Sequence, residues 1–338
     1  MAVTIRDVAR AAGVSVASVS RALNGRENVT EETRRRVMEA AARLRYRPND
    51  AARSLITRRT RSIGAVLPEL HGEFFCELIG GVDAAARAAG LHLLVSCSHG
   101  DADEAAAALR ALQGRVDGLL VMSPHVDAAF LEHTLPARLP AVMLNAPRVE
   151  SRFPILNVDD HGGALAMTRH LLALGHRRIA MIGGPRGRFD ADERRRGFLD
   201  ALAQTGDGLD PVLLDGDHSE RSGYEAGRRL AAARDRPDAV FAANDMMAIG
   251  CLLAFADAGI AVPSQVAVAG FDDVPIARYV TPQLTTVRVR IADLGRAALV
   301  RLVAEIEETP DATAPDLLPC ELVVRASCGA TQCRASGE

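Results

Sequence analysis

The sequence predicts two folds in one chain, an all-α helix-turn-helix headpiece followed by an α/β core of two lobes. Three observations carry this: two short helical patterns separated by a turn over Thr4 to Arg21, a lopsided charge, and apolar strands alternating with amphipathic helices from Ser62 onward. The chain has 338 residues and 48% hydrophobic content, enough to bury a core and to form two or three domains. Residues 1–61 hold 14 Arg against 6 acidic residues, a net +8, so the remainder carries −11 to reach the overall −3. Headpiece, hinge and core are expected over 1–47, 48–61 and 62–338. Within the core, one lobe takes about 62–158 and 291–318, and the other about 159–290 and 319–330.

The headpiece elements follow from local chemistry. Thr4 can cap a first helix while Asp7, three residues on, returns the bond to its backbone, and Ile5, Val8 and Ala9 share one face. Gly13 breaks that helix. Ser15 caps a second, whose Val19 and Leu23 point back to the first while Val16, Ala17, Ser20 and Arg21 face outward. A helix presented in this way fits the major groove of DNA. A basic module seeks phosphate through counterion release; the run Arg34-Arg35-Arg36 alone would be only a solvated charged face. Thr30 caps a third helix with Val37, Ala40, Ala41 and Leu44 as its buried stripe, ending near Tyr46. Pro48 stops it. The stretch Asn49 to Ile56 allows barely two further turns, too few to stand alone in water, so it reads as a hinge that orders on binding. Its exposed Leu55-Ile56 pair has the character of a minor-groove wedge.

Beyond Ser62, strands are expected at Ile63 to Leu67, Leu91 to Ser96, Gly118 to Met122, Ala141 to Leu144, Arg178 to Ile182, Ala239 to Ala242 and Val266 to Gly270. Helices are expected at Glu73 to Ala89, Asp160 to Leu174, Glu193 to Thr205, Ser219 to Ala233, Asp245 to Ala258 and Ile291 to Glu307, with Gly90, Gly175 and Gly259 ending three of them. Such alternation implies parallel sheets covered by helices. The strands are too many for one sheet, and a break near Phe153 to Asp160 divides two lobes. Ligands of such folds lie beyond the carboxyl ends of the strands.

The residues at those ends are Phe74 and Phe75, Asn145, Asp190, Arg194, His218, Asn244 with Asp245, and Asp272 with Asp273. Acid, amide and guanidinium groups beside an aromatic ring suit a polyhydroxylated ligand, because each hydroxyl both donates and accepts. Structural duties compete: Asp160 and Asp245 read as helix caps, Phe75 as core, and His161, His170 and His176 as packing or capping groups. No metal-ligand spacing, nucleotide loop or nucleophile elbow is present, so neither metal nor cofactor is expected and the chain reads as a non-enzyme. The six Cys at 76, 97, 251, 320, 328 and 333 form no Cys-x-x-Cys pair and are expected reduced. No signal sequence or membrane-length apolar run occurs, with Met246 to Ala256 better read as a core helix, so a cytoplasmic protein is expected.

These motifs together resemble the LacI/GalR family of transcriptional repressors, and among them the galactose repressors. The resemblance is carried by Thr4 to Asn24, Tyr46-Arg47-Pro48-Asn49, Ala52-Arg53-Ser54-Leu55, Gly175-His176-Arg177-Arg178-Ile179, Ala243-Asn244-Asp245, Gly270-Phe271-Asp272-Asp273 and Pro282-Gln283-Leu284-Thr285-Thr286. It implies a homodimer on a pseudo-palindromic double-stranded operator, a core like that of periplasmic binding proteins, and repression of carbohydrate genes relieved by a small sugar. A purine- or nucleoside-responsive repressor of the same architecture is the alternative; a sugar-binding protein without a DNA role would lack the basic headpiece. Carried over by position, Val16, Ala17 and Arg21 meet base edges, Ser15, Ser18, Ser20, Asn24 and Asn28 meet phosphates, Thr4 and Arg53 also contact DNA, and Leu55 is the wedge. Phe74, Asn145, Asp190, Arg194, His218, Asn244 and Asp272 line the effector cleft, although Asn145 and His218 depart from what relatives often carry. The tail from Ala326 lacks leucine heptads, which favours a dimer.

Overall fold

The computed structural model describes residues 3–23, 28–46, 59–124, 126–206, 208–309 and 316–330. The expected hinge helix, with Arg53 and Leu55, and the phosphate candidate Asn24 lie outside these residues. The chain divides into two compact units, Met1–Thr60 and Arg61–Glu338.

The first unit holds α1 (Ile5–Ala12), α2 (Val16–Leu23) and α3 (Glu31–Arg43). The Asp7 carboxylate accepts from the backbone N–H and the hydroxyl of Thr4, at 3.0 and 2.7 Å, which fixes the start of α1. Gly13 closes it at φ 64°, a left-handed turn that costs glycine little. Ser15 accepts from Ser18 N–H at 3.1 Å and Thr30 from Thr33 N–H at 3.3 Å, so α2 and α3 also start where expected. Val8, Val19 and Val37, one from each helix, are fully buried and surrounded by alanines. The Arg34-Arg35-Arg36 run is divided in its duties. Arg34 donates to the Ala22 carbonyl at 3.1 Å and Arg36 to that of Ala12, so two cations neutralise the C-terminal ends of α2 and α1. Arg35 pairs with Glu39 along its own helix.

The second unit begins with β1 (Ser62–Leu67), α4 (Glu73–Ala88), β2 (His92–Cys97), α5 (Ala102–Leu112), β3 (Gly118–Val121), α6 (Ala128–Thr134), β4 (Ala141–Leu144) and β5 (Ile155–Val158). It continues with α7 (Asp160–Ala173), β6 (Ile179–Gly183), α8 (Phe189–Ala203), β7 (Val212–Asp215), α9 (Glu220–Ala232), β8 (Ala239–Ala242), α10 (Asp245–Asp257) and β9 (Ala267–Ala269). Then come β10 (Thr286–Arg288), α11 (Ile291–Glu307), β11 (Leu317–Leu318) and β12 (Glu321–Val323). Two parallel sheets result, ordered β11-β5-β4-β3-β1-β2 and β7-β6-β8-β9, with an antiparallel β10-β12 pair beside them. Every residue of β3, β4 and β8 is buried, as continuous apolar runs under helices on both faces should be.

The chain therefore returns to its first sheet after completing the second. Helix α11 packs on α4 at Gly81 and Gly295, where a Cβ would strike the facing backbone carbonyl of Ala292 or Leu78. Gly223 and Gly250 bring α9 and α10 together in the same way.

Several boundaries differ from expectation. The segment expected to be a break between lobes contains β5, whose Leu156 and Val158 are buried. Helix α8 starts at Phe189 rather than Glu193, since Asp190 and Asp192 favour its N-terminal end. Helices α5 and α6 and strands β7, β10, β11 and β12 were not foreseen, being short, alanine-rich or exposed. The cap of α7 is Asp159, which accepts from Gly162 N–H at 2.9 Å, and that of α10 is Asn244, which accepts from Met247 N–H at 3.0 Å. Asp160 and Asp245 are thus not caps. Each is displaced one residue into its helix and buried. His161 bonds Asp200 at 2.8 Å and His176 lies 3.6 Å from Asp238, in keeping with structural roles. Among the described residues no helix is long and apolar enough to cross a membrane, and no group of potential metal ligands gathers.

Candidate functional site

In each parallel sheet the strand order reverses once, beside β1 and β3 in the first and β6 and β8 in the second. Loops leaving the carboxyl ends of such strands diverge and leave a crevice. A cavity of about 340 Å³ lies there, lined among others by Phe74, Asp190, Arg194, His218, Asn244 and Asp272. Six of the seven expected cleft residues therefore meet. Asn145 does not line this cavity; it lines a second one of about 350 Å³.

Arg194 is the centre of the first cavity's wall and is almost wholly buried. Its Nε donates to Asp160 at 2.7 Å, one Nη donates to the Ala243 carbonyl at 2.6 Å, and the other lies 3.0 Å from Asp272 Oδ1. The guanidinium also stacks over the Phe271 ring at 3.8 Å, so its position is held from four directions. Burial works against its charge, but Asp272, Asp160 and Asp190 overcome this and hold it protonated. Two carboxylates share this one cation closely, and each suffers for it. Burial pushes Asp160 up to about 7 and Asp272 up to about 6, against the pull of Arg194 and with neighbouring carboxylates adding to the rise. Asp160 Oδ2 has no hydrogen-bond partner, whereas Asp272 Oδ1 is held by its ion pair with Arg194. Asp272 also sits at φ 110°, a strained backbone of the kind found where a side chain must be aimed.

One turn earlier on the same helix lies a second charged pair. Arg188 meets Asp190 as a fork, at 3.2 and 3.0 Å. Burial opposes ionisation of Asp190, yet Arg188, with His218 and Arg194, holds its carboxyl well below the usual range. The His218 ring lies against Gly184, where any Cβ would strike its Nε2, and that nitrogen is unpartnered. Burial brings His218 down to about 3, so the ring is neutral at physiological pH. Asn244 spends both ends of its amide, capping α10 and donating to the His218 carbonyl at 2.9 Å. Its role here is to fix the loop that carries His218. Phe74 and Phe75 both line the cavity, edge to face with each other, and Phe75 is also buried in the core as the competing reading had it.

Two participants escaped the sequence reading. Asp160 was read as a cap, and Arg188 carried no motif; its spacing of two residues from Asp190 was the available signal. Asp245 and Asp273 do not line the 340 Å³ cavity but lock the structure around it. Asp245 accepts from Thr286 at 2.5 Å and Val274 N–H at 3.0 Å, and Asp273 binds Arg288 at 2.7 Å and Arg325.

On the headpiece, Val16, Ala17 and Arg21 project from α2 into solvent, with Val16 42% exposed despite being apolar. Ser18 and Ser20 are half-buried, and Thr4, Ser15 and Asn28 are exposed. Thr4 and Ser15 are engaged as caps at the same time.

Residues 4–49 match the family described as bacterial regulatory proteins, lacI family, and residues 168–328 match the periplasmic binding protein-like domain. The chain is 38% identical over 308 residues to the HTH-type transcriptional repressor PurR of Edwardsiella ictaluri, covering 90% of both chains. It is 37% identical over 327 residues to the HTH-type transcriptional regulator GalS of Salmonella typhimurium, covering 96% of both. The chain belongs to the LacI family. A solved Lac repressor dimer, bound to operator and the anti-inducer ONPF, superposes with a TM-score of 0.87 at 28% identity, over 97% of this chain and 99% of that one. As a LacI-family regulator, this protein joins a DNA-binding helix-turn-helix headpiece to a two-lobed α/β effector-binding core and acts as a transcriptional repressor.

Proposed function

We propose that this LacI-family repressor binds a pseudo-palindromic operator as a homodimer and is released by a neutral sugar held in the 340 Å³ cavity. Val16, Ala17 and Arg21 read base edges, while Thr4, Ser15, Ser18, Ser20 and Asn28 meet the phosphate backbone. Asn24, Arg53 and Leu55, which lie outside the described residues, are assigned DNA contacts by the family resemblance. Arg194, Asp272 and Asp190 hydrogen-bond the sugar, and Phe74 covers its apolar face. Linkage then requires the sugar to bind the two lobe arrangements unequally, which changes affinity for DNA by the same factor.

The observation that carries the ligand class is the polar lining of that cavity, where Asp190, Asp272, Arg194 and the unpartnered Nε2 of His218 gather beside the Phe74 ring. Such a wall presents donors and acceptors together, and sugar hydroxyls, which both donate and accept, match it. Six carboxylates and two guanidiniums line the cavity, a balance that repels phosphorylated ligands. Identity to relatives does not separate a sugar from a purine, since PurR and GalS stand at 38% and 37%.

Thermal melts with a panel of monosaccharides, hypoxanthine and guanine test the assignment. A cognate sugar at a hundred times its Kd stabilises by about 2.7 kcal/mol and lowers operator affinity in a parallel binding assay. Stabilisation by hypoxanthine or guanine, with operator binding strengthened and no sugar active, overturns it.

A further inference from the structure

We propose that the cleft contains a second sugar subsite beyond the Arg188–Asp190 pair, so that the effector is a disaccharide or longer; this rests on the sugar reading of the first cavity. The two cavities, of about 340 and 350 Å³, each reach the size of a small-molecule site. A constriction lined by Asn145, Arg188, Phe189 and Asp190 lies between them. Arg188 and Asp190 line both the constriction and the first cavity, and Asn145 and Phe189 line both the constriction and the second. The two spaces are therefore successive chambers along one wall.

The second chamber has the chemistry of a sugar site. Phe189, half-buried at the first position of α8, supplies an aromatic face, and Ser123, Asp192 and Asn145 supply polar groups around it. The Asn145 Oδ1 atom is buried without a partner. This arrangement is built rather than incidental. Asn145 sits at φ 51°, in the left-handed region, and the next residue is clamped by Asn157, which accepts from Ala146 N–H at 3.1 Å and donates to its carbonyl at 2.8 Å. Asn157 is itself buried on β5, so a rigid strand holds the loop in its strained form. The amide is thus fixed in direction with one acceptor unmet. A glycosidic linkage spanning the constriction would place one ring by Arg194 and the next by Phe189 and Asn145.

Calorimetric titration of the full-length protein with glucose, galactose, cellobiose, maltose, lactose and melibiose tests this. The expected result is a disaccharide bound at least tenfold more tightly than its constituent monosaccharides. Phe189→Ala should abolish that gain while leaving monosaccharide affinity within about twofold. Asn145→Gly, which keeps the left-handed backbone and deletes the amide, should show the same selective loss. Monosaccharides binding as tightly as every disaccharide, or Phe189→Ala weakening both classes equally, overturns the second subsite and leaves the first intact. Failure of all six sugars to bind overturns the sugar reading and this inference with it.

Discussion

The headpiece keeps the side chains proposed to meet DNA outside its core, whereas the cavity holds its charged side chains almost wholly inside. In the first unit Val8, Val19 and Val37 pack together and Val16, Ala17 and Arg21 are left in solvent. In the second, Arg194, Asp160 and Asp272 are buried and bound to one another. The targets explain the difference. A polyanion as broad as DNA is met by an exposed surface that any solvated cation can join, at little folding cost. A small-molecule effector must be surrounded, so the groups that hold it have to be desolvated first and stabilised by one another meanwhile. The cleft accordingly carries the structural risk and the headpiece does not.

The sharpest way to break this contrast is to remove the buried cation. Arg194→Ala leaves Asp160 and Asp272 facing each other without a counter-charge, and breaking a buried pair of this kind costs about 3–5 kcal/mol. Melting of the core domain should fall accordingly, and effector binding with it. A core of unchanged stability would show that the network is no more than a surface-like pair. On the headpiece the opposite is expected: Arg21→Ala should leave melting unchanged and cost about 1–3 kcal/mol of base discrimination at one symmetric operator position. Equal weakening on all DNA sequences would make Arg21 a phosphate contact instead.

A subtler effect separates the two regions by pH. Burial raises the Asp160 carboxyl to about 7, so between its ordinary range and that value the folded protein keeps a proton that the unfolded chain has lost. The stabilisation this brings is fully present in acid and is lost as pH rises through about 7. His218, held down to about 3, acts with the opposite sign, and its stabilisation is lost as pH falls through its ordinary range. The difference between wild type and Asp160→Asn therefore isolates the acid. In urea melts at pH 5, 6, 7 and 8 the wild type should lose stability relative to the variant by up to about 1.4 kcal/mol per pH unit near the lower end of that range. Parallel pH profiles would show that Arg194 keeps Asp160 ionised throughout.

Much of this molecule was legible from its residues because the relevant physics is local. The Thr4–Asp7 box, the Gly13 turn and the Ser15 and Thr30 caps each join residues a few positions apart, and helical periodicity then assigns the faces. Strands β4 and β8 were equally plain as unbroken apolar runs, and the residues that follow the core strands included six that line one cavity. Tertiary structure alone decided the partnerships. Nothing local distinguishes Asp160 from Asp159, yet a one-residue shift in where α7 begins makes one a cap and the other a ligand of Arg194. Likewise Arg34 and Arg36 turned inward to the ends of other helices, and Asn145, at the end of β4, lined a different cavity from the rest. Each outcome depends on which strands neighbour one another across crossovers and on how closely helices approach through their glycines. Those distances are set by the assembled sheets, and no periodicity within a single segment encodes them.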